Sequence, residues 1–218
     1  MFSKYTNFSM LVFPSRRSAA FPQQTYEMTE QNAKSANRND VNSQLTGAAG
    51  GFPFPYPTSG EQVMWNHKLK YKGVAWERHN NQVTPTASGQ YAMIRIREES
   101  LEYVNSVRYF FQQVESPARL AGNSILVQEP LNQAGSSRQA WIYNPRQRRV
   151  REAPNIGYDN PGTASDGLIT NDMHDMFSGA LDRYDWKLMG KHEMYVPYNS
   201  YRAHAGNMNF DDLVKPGY

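Results

Sequence analysis

Residues 91–153 contain a series of short segments with the residue patterns of β-strands, and this series limits the folds that the chain can adopt. The segments are rich in β-branched and aromatic residues and are separated by turn-forming residues. Successive strands joined by short turns predict an antiparallel meander. The predicted strands are Tyr91–Arg97, Val107–Val114, Asn123–Gln128, Arg138–Tyr143 and Arg148–Ala153.

The last two of these strands flank the sequence Asn144-Pro145-Arg146-Gln147. Asn at the first position and Pro at the second are typical of a type I turn, so the sequence predicts a β-hairpin here. A further strand is predicted at Asp185–Val196, after an irregular stretch that includes one helical turn near Asp172–Phe177.

A helix is predicted ahead of the strands. Ser59 followed three residues later by Gln62 matches a capping box, and Gly73 supplies a stop signal. The expected helix runs from about Glu61 to Lys72. Together with the strands it predicts an α+β fold in which a curved antiparallel sheet packs against one helix.

Residues 1–58 are predicted to be an extended arm that is rich in proline and aromatic residues. One short helix is expected at Thr25–Ala36, and Phe52–Pro57 (FPFPYP) is expected to be extended and polyproline-like. Two interpretations remain open. The arm packs on the body of the protein, or it is a peptide that binds a partner.

The composition is polar but rich in aromatic residues. Hydrophobic residues make up 39% of the 218 residues, and aromatic residues make up 13%. The mean hydropathy is −0.75. A disordered chain would have few aromatics, so these values predict a thin sheet with one amphipathic face, or an incomplete domain.

Several classes of protein are excluded or not expected. The chain has no cysteine, which excludes disulfides, thiolate metal sites and a cysteine nucleophile. No segment approaches the ~18 consecutive apolar residues of a membrane-spanning helix. The apolar run Met10–Phe13 is far shorter than the ~7–15 residues of a signal peptide core. Either the protein is not exported, or its true N-terminus lies upstream.

The net charge is only +3, and the basic residues do not form a broad face, so nucleic-acid binding is not predicted. One local basic cluster lies around the predicted hairpin. It is either a solvated strand face or a site for an anionic partner or headgroup. Its residues are Arg146, Arg148, Arg149 and Arg151.

The sequence contains no recognisable catalytic constellation, and the protein is not expected to be an enzyme. Asp182 and Asp185 could form an acid/base pair, but a turn entering a strand is the simpler interpretation. Asp172, His174 and Asp175 could offer metal ligands, but their spacing constrains little, so no metal and no other cofactor is predicted.

A set of aromatic residues lies on the predicted strands. They either pack in an ordinary core or line a concave apolar face that holds a lipid-like ligand. We take them as candidate groove residues: Tyr109, Phe111, Trp141, Tyr143, Trp186 and Tyr195.

Several long motifs resemble one family, the domain of unknown function 1329 of Gram-negative bacteria. They are PSRRSAAFPQ (14–23), GGFPFPYP (50–57), MWNHKLKYKG (64–73), PARLAGNSILVQEPLNQ (117–133), RQAWIYNPRQRRVREAPNIGYDNPGTASDGL (138–168) and DRYDWKLMGKHEMYVPYNSYR (182–202). The resemblance covers nearly the whole chain.

The resemblance implies a fold similar to the LolA/LolB lipoprotein carriers, an open antiparallel half-barrel with helices at its mouth. It implies a periplasmic location, a hydrophobic cargo such as a lipid or lipoprotein acyl chain, and a partner in the outer membrane or in an exporter. It supplies no catalytic residues. The alternative is a scaffold that binds a protein partner through its sheet edges and its proline-rich arm.

Family members are typically longer and carry a signal peptide, so the resemblance implies that this chain is a fragment lacking both ends. Residues 59–218 would then form a partial half-barrel. In that case the predicted strand Asp185–Val196 would be an unpaired edge, and such edges pair with other chains. The expectation is self-association or complementation by a separate C-terminal half.

Overall fold

The centre of the fold is a six-stranded antiparallel sheet with the order β1-β2-β3-β4-β5-β6. Each strand in this computed structural model pairs with the next strand along the chain, so the sheet is an open meander with β1 and β6 at its edges. The strands are Ala75–Pro85 (β1), Tyr91–Val104 (β2), Val107–Ser116 (β3), Ser124–Pro130 (β4), Gln139–Asn144 (β5) and Arg149–Glu152 (β6).

The structure describes residues 21–36, 44–48, 50–86, 88, 90–153, 156, 160–162, 165–196 and 205–213. The chain divides into two compact units. One comprises Phe21–Met189 and contains the sheet, and the other comprises Met1–Ala20 with Gly190–Tyr218. The features predicted for residues 1–17 lie outside the described residues.

The predicted antiparallel sheet is confirmed, and β2 to β6 occupy the predicted segments. The predicted hairpin turn lies between β5 and β6. Its geometry depends on Asn144, whose Oδ1 accepts hydrogen bonds from the backbone N–H groups of Arg146 (2.9 Å) and Gln147 (3.3 Å). This is the local side-chain bond that makes Asn a favoured turn residue.

Strand β1 was not predicted, because its sequence AWERHNNQVTP is mostly polar. It nevertheless pairs with β2 along its full length, from Ala75 opposite Leu101 to Pro85 opposite Tyr91. Charged groups join it to neighbouring strands. Arg97 donates to Glu77 at 2.9 Å, and His79 lies 3.1 Å from a carboxylate oxygen of Glu115. Cross-strand pairs of this kind stabilise an edge strand that has little apolar surface.

The prediction of a strand at Asp185–Val196 is wrong, because none of these residues belongs to a strand. Trp186 shows why the sequence pattern misleads. Its Nε1 donates to the Leu181 carbonyl at 2.8 Å, and its ring packs 5.0 Å from that of Phe177. Trp186 therefore anchors an irregular segment, and the unpaired strand edge predicted at Asp185–Val196 is not present.

The longer helices are α1 at Gln23–Ser35 and α2 at Gly60–Leu69, and a single turn, α3, lies at Phe210–Leu213. As predicted, Ser59 caps α2, since its Oγ accepts from the Gln62 N–H at 3.1 Å. The Gln62 side chain instead accepts from the N–H of Thr58 at 2.7 Å. The chain becomes extended at Lys70, so α2 ends before the predicted Gly73 stop.

The main apolar core surrounds α2. Trp65 and Leu69 of this helix cluster with Leu45, Phe54, Leu131 and Leu181. Two of these residues, Leu45 and Phe54, come from the proline-rich arm. The side-chain amide of Asn66 also holds the backbone of Phe54 through two hydrogen bonds of 2.9 and 2.6 Å. This part of the arm therefore packs on the body.

The two faces of the sheet differ in burial. One face, which we call the covered face, buries apolar residues from several strands: Ile94, Ile96, Val114, Val127 and Ala140. The opposite face, which we call the open face, carries the alternate residues of the same strands and leaves many of them exposed. Alternation along a strand sends successive side chains to opposite faces.

Candidate functional site

The open face carries an apolar groove of about 460 Å³. Its floor is formed by residues that are paired across the strands, with Leu101 opposite Tyr109 and Phe111 opposite Leu126. The lining residues are Ala75, Trp76, Glu77, Glu99, Ser100, Leu101, Tyr109, Phe111 and Leu126.

The apolar surface continues beyond the groove towards β6. Trp141 lies opposite Leu126, and Tyr143 lies opposite Val150, which is exposed. Tyr109, Phe111, Trp141 and Tyr143 therefore share the open face, where Phe111, Leu126 and Trp141 form one row across the strands and Tyr109 and Tyr143 flank that row on opposite sides. Their role in ligand binding stays a prediction, but the register brings them together.

Trp186 and Tyr195, the other two candidate groove residues, lie elsewhere. Trp186 packs in an aromatic cluster with Phe177 and Tyr184, with ring centroids 5.0 and 5.6 Å away. Tyr195 belongs to the second unit and is 73% exposed. Neither lies on a strand, because the predicted strand that contained them is absent.

The predicted basic cluster is exposed at the β5–β6 hairpin. Arg146 donates to the Arg119 carbonyl at 3.0 Å, and Arg151 donates to Gln147 at 3.1 Å. Arg148 lies in the turn with φ +49°, and Arg149 begins β6. An anionic partner for this cluster stays a prediction.

The covered face contains a buried network of charges that the sequence analysis missed. Arg108 donates to Glu129 at 3.0 Å and to Glu102 at 3.3 Å, and Arg138 also pairs with Glu129. Ser100 and Trp76 each donate to Glu102 at 2.8 Å. The strand alternation places Arg108 and Glu129 on the covered face, but it does not reveal that they pair there.

Glu98 is the centre of a second part of this network. Its carboxylate accepts from Arg78, from Asn80 at 2.9 Å and from Gln112 at 3.0 Å. His174 lies 3.9 Å away, and its ring contacts that of Phe110 in a tilted arrangement with ring centroids 4.9 Å apart. A buried carboxylate is tolerated when several donors satisfy its oxygens.

The network shifts the pKa values of its members. Burial alone would raise the pKa of Glu129, but Arg138, Arg108 and Lys68 together hold it below its ordinary value. Burial lowers the pKa of Lys68 to about 8 and raises that of Tyr103. For His174, burial and then the charge of Arg108 lower the pKa.

A second cavity, of about 340 Å³, lies beside this network. Cationic groups dominate its lining. The lining residues come from the chain after α2, from β1, from β3 and from the loop at residues 174–175. The lining residues are Lys70, Lys72, Trp76, Glu77, Arg78, Arg108, His174 and Asp175. The Lys70-x-Lys72 and Trp76-x-Arg78 spacings are visible in the sequence, but they are too common to indicate a site.

The acidic residues considered as metal ligands have separate partners. Asp175 pairs with Lys70 and Lys72, whereas Asp172 accepts from Thr170 and lies 3.3 Å from the Tyr184 hydroxyl. Among the described residues, no group of three or more His, Asp or Glu side chains is placed to hold a metal ion. Within the same residues, the helices are too short or too polar to cross a membrane.

The fold and the two cavities define an α+β protein with an open antiparallel sheet, an apolar groove on one face and a cation-lined cavity beside the charge network of the other. The chain belongs to the family described as Protein of unknown function (DUF1329), whose match extends over residues 1–218. The predicted family membership is confirmed.

A curated relative is the uncharacterized protein PA3922 of Pseudomonas aeruginosa, which is 41% identical over 230 aligned residues. The match covers 100% of this chain and 50% of the relative, so the chain spans about half the length of the protein that it matches.

Two solved structures are similar to this chain. One is described as an outer membrane lipoprotein-sorting protein domain from Vibrio parahaemolyticus. It has a TM-score of 0.45 and 16% identity, over 57% of this chain and 50% of that chain. The other is a DUF1329 family protein from Desulfovibrio piger. It has a TM-score of 0.47 and 17% identity, over 61% of this chain and 53% of that chain.

Proposed function

We propose that this chain is the ligand-binding part of a non-enzymatic periplasmic carrier whose cargo is a lipid, a lipoprotein acyl chain or another hydrophobic compound. The observation that carries the proposal is the apolar groove on the open face, between Leu101, Tyr109, Phe111 and Leu126. Its volume of about 460 Å³ lies within the range of ~300–1,000 Å³ that is usual for small-molecule sites.

The physical argument concerns exposed apolar surface. Large side chains remain exposed along the open face, including those of Leu101, Leu126 and Val150. Removing such surface from water gains roughly 25 cal/mol per Å², so a flexible acyl chain laid across the strands would be held without any specific polar contact. Contiguous exposed apolar patches commonly mark binding sites.

The ionisable groups of the groove favour binding over catalysis. Arg97 donates a hydrogen bond to Glu77 at 2.9 Å and also pairs with Glu99. That hydrogen bond is the main cause that lowers the pKa of Glu77 below its ordinary value. A carboxylate held ionised in an ion pair is poorly suited to donate a proton, so an acid-catalysed hydrolysis is disfavoured here.

The rival function is a scaffold that binds a protein through its arm and sheet edges. Part of the described arm is occupied, since Phe54 is buried and is held by Asn66, but Tyr56 of the same segment is 89% exposed. A scaffold would use this exposed part of the arm or the edge strands β1 and β6. In the carrier proposal, an outer-membrane or exporter component supplies or receives the cargo.

The test uses the full chain and a neutral fluorescent probe, N-phenyl-1-naphthylamine, with the uncharged lipid monopalmitoylglycerol as competitor. We expect saturable probe binding and displacement by the lipid, and co-purified lipid in native mass spectrometry. A folded protein that binds neither compound and carries no lipid would overturn the carrier proposal and leave the scaffold.

A further inference from the structure

The cavity of about 340 Å³ beside the covered face is built from side chains of separate elements. We call it the cationic pocket and define it by Lys70, Lys72, Trp76, Arg78, Arg108 and His174. Arg78 is held against the edge strand because its guanidinium lies 4.9 Å from the ring centroid of Trp76. Contact with an aromatic ring orients a guanidinium and limits its motion.

The acidic groups of the pocket do not neutralise its cations fully. Asp175 is shared by Lys70, at 3.4 Å, and Lys72, so these two ammonium groups have one carboxylate between them. Glu77 also lines the cavity, but it is bound by Arg97. The lysine pair therefore carries one more positive charge than the carboxylate that binds it, whereas Arg78 is paired with Glu98 and Arg108 with Glu102 and Glu129.

Arg108 supplies the second observation. Its side chain is only 5% exposed and lines the pocket. Nε donates to Ser100 and Glu102, and Nη1 donates to Glu129. Nη2 is buried and has no hydrogen-bond partner among the described residues. A buried donor without a partner is unfavourable, and an oxyanion is a natural group to satisfy a guanidinium.

The histidines report the local field. Burial is the main cause that lowers the pKa of His174, and Arg108 and Arg78 lower it further. At His67, beside the pocket, burial and then Lys70 lower the pKa. Acidic groups act in the opposite direction, since Glu98 and Glu129 raise the pKa of His174 and Asp175 raises that of His67.

From this geometry we propose that the cationic pocket binds an oxyanion, a carboxylate or phosphate group. The volume of about 340 Å³ lies near the lower end of the ~300–1,000 Å³ range for small-molecule sites, which suits a compact headgroup. Lys70 and Lys72, whose side chains are 34% and 19% exposed, supply the accessible charges, and Arg108 contributes to the pocket wall. Such a group could belong to a lipid or to a free anion. The site does not depend on the open-face groove.

The experiment is titration calorimetry of the full chain with inorganic phosphate, octyl phosphate, acetate and octanoate. We expect saturable binding of phosphate or carboxylate. Its affinity should fall between roughly 0.05 and 0.5 M salt, because salt screens the attraction between the anion and the partly exposed lysines. Equal affinity for an anion and its octyl form identifies a free anion as the ligand. About tenfold tighter binding of the octyl form identifies an amphiphile headgroup.

The decisive variant is Lys72→Gln, whose parent side chain is 19% exposed. We expect oxyanion binding to weaken about tenfold, which corresponds to the loss of one charge-assisted contact. The matched control is Lys34→Gln, which removes the same charge from a side chain on α1 that is 74% exposed. Its affinity should equal that of the wild type.

Melting curves of both variants establish that they are folded. Absence of saturable oxyanion binding in the folded wild type would overturn the proposal, and so would equal losses in the two variants. Binding of the neutral probe to the open face should be unchanged in Lys72→Gln. Failure of the oxyanion site and failure of the carrier proposal are therefore distinguishable.

Discussion

Arg108 donates to Glu129 at 3.0 Å, and the two side chains are only 5% and 7% exposed. This ion pair lies within a network on the covered face. A buried charge is tolerated only when its partner and surrounding donors replace the lost hydration. The pair thus links β3 to β4 at a buried position of the sheet, where apolar residues are usual.

Removing the charge of Glu129 should be strongly destabilising, because Arg108 and Arg138 would both lose a carboxylate partner. We expect Glu129→Gln to lower the free energy of unfolding by about 3–5 kcal/mol. The matched control is Glu115→Gln, which breaks a more exposed pair with Arg95 and should cost about 0–1 kcal/mol. Urea denaturation measures both values, and similar losses would contradict a dominant role for the buried network.

Gly60 at the start of α2 should not tolerate a side chain. A Cβ atom there would lie 2.6 Å from the carbonyl carbon of Trp186 and 2.7 Å from the amide nitrogen of Lys187. We expect Gly60→Ala to cost about 1–3 kcal/mol, because backbone must move. In the control Gly135→Ala, the nearest atom is the end of the flexible Gln44 side chain at 3.1 Å. Thermal melts should show a clearly lower midpoint for Gly60→Ala alone.

Lys68 should make stability rise with pH above neutrality. Burial lowers its pKa in the folded protein to about 8 from 10.5, and its Nζ donates to the Gly179 carbonyl at 2.7 Å. Between these two pKa values the unfolded chain binds more protons, so stability increases as pH rises. The expected gain from pH 8 to about 9.5 is roughly 1.5 kcal/mol.

The measurement is urea unfolding of the wild type and of Lys68→Met at both pH values. The variant should lose this gain, whatever its absolute stability. Lys34→Met changes an exposed lysine and should keep the wild-type pH dependence. A pH dependence that survives in Lys68→Met would assign the effect to another group.

Truncation of the candidate groove residues should have two different effects: residues on the open face should affect probe binding, and Trp186 should affect stability. We expect Phe111→Ala and Trp141→Ala to weaken binding of the neutral probe, because both lie on the open face, whereas Arg149→Ala leaves it unchanged. Trp186→Ala removes part of the aromatic cluster with Phe177. It should lower stability by about 3–5 kcal/mol without changing the affinity of the folded fraction. Equal binding losses in all four variants would argue against an apolar groove.

Local patterns were sufficient to predict much of the sheet. The β5–β6 hairpin was predictable because Asn144 bonds to residues two and three positions away. The start of α2 was predictable for a similar reason, since the Ser59 cap acts within one turn. Strand β1 was missed because its polar residues are paired only in the presence of β2 and β3.

The candidate site was only partly predictable. Alternation along β3 and β5 indicated that Tyr109 and Phe111 share a face, as do Trp141 and Tyr143. The register across β4 was needed to show that both pairs lie on the same face, with Phe111 in line with Trp141. The residues that neighbour Trp186 in sequence gave no sign that it differs from these four residues, although its ring packs against Phe177 and not on the open face.

The α+β class, most strands, the capped helix and the family could be inferred from the sequence, because these depend on short-range periodicity, turn chemistry and long motifs. Which charges are buried together, and where the cavities lie, depends on how distant segments pack. Lys68 donates a hydrogen bond to a carbonyl 111 residues away. Arg78 and Arg108 line the same cavity as His174, which lies in a loop that is distant in sequence. Such contacts depend on chain segments that only folding brings together, so no local pattern encodes them.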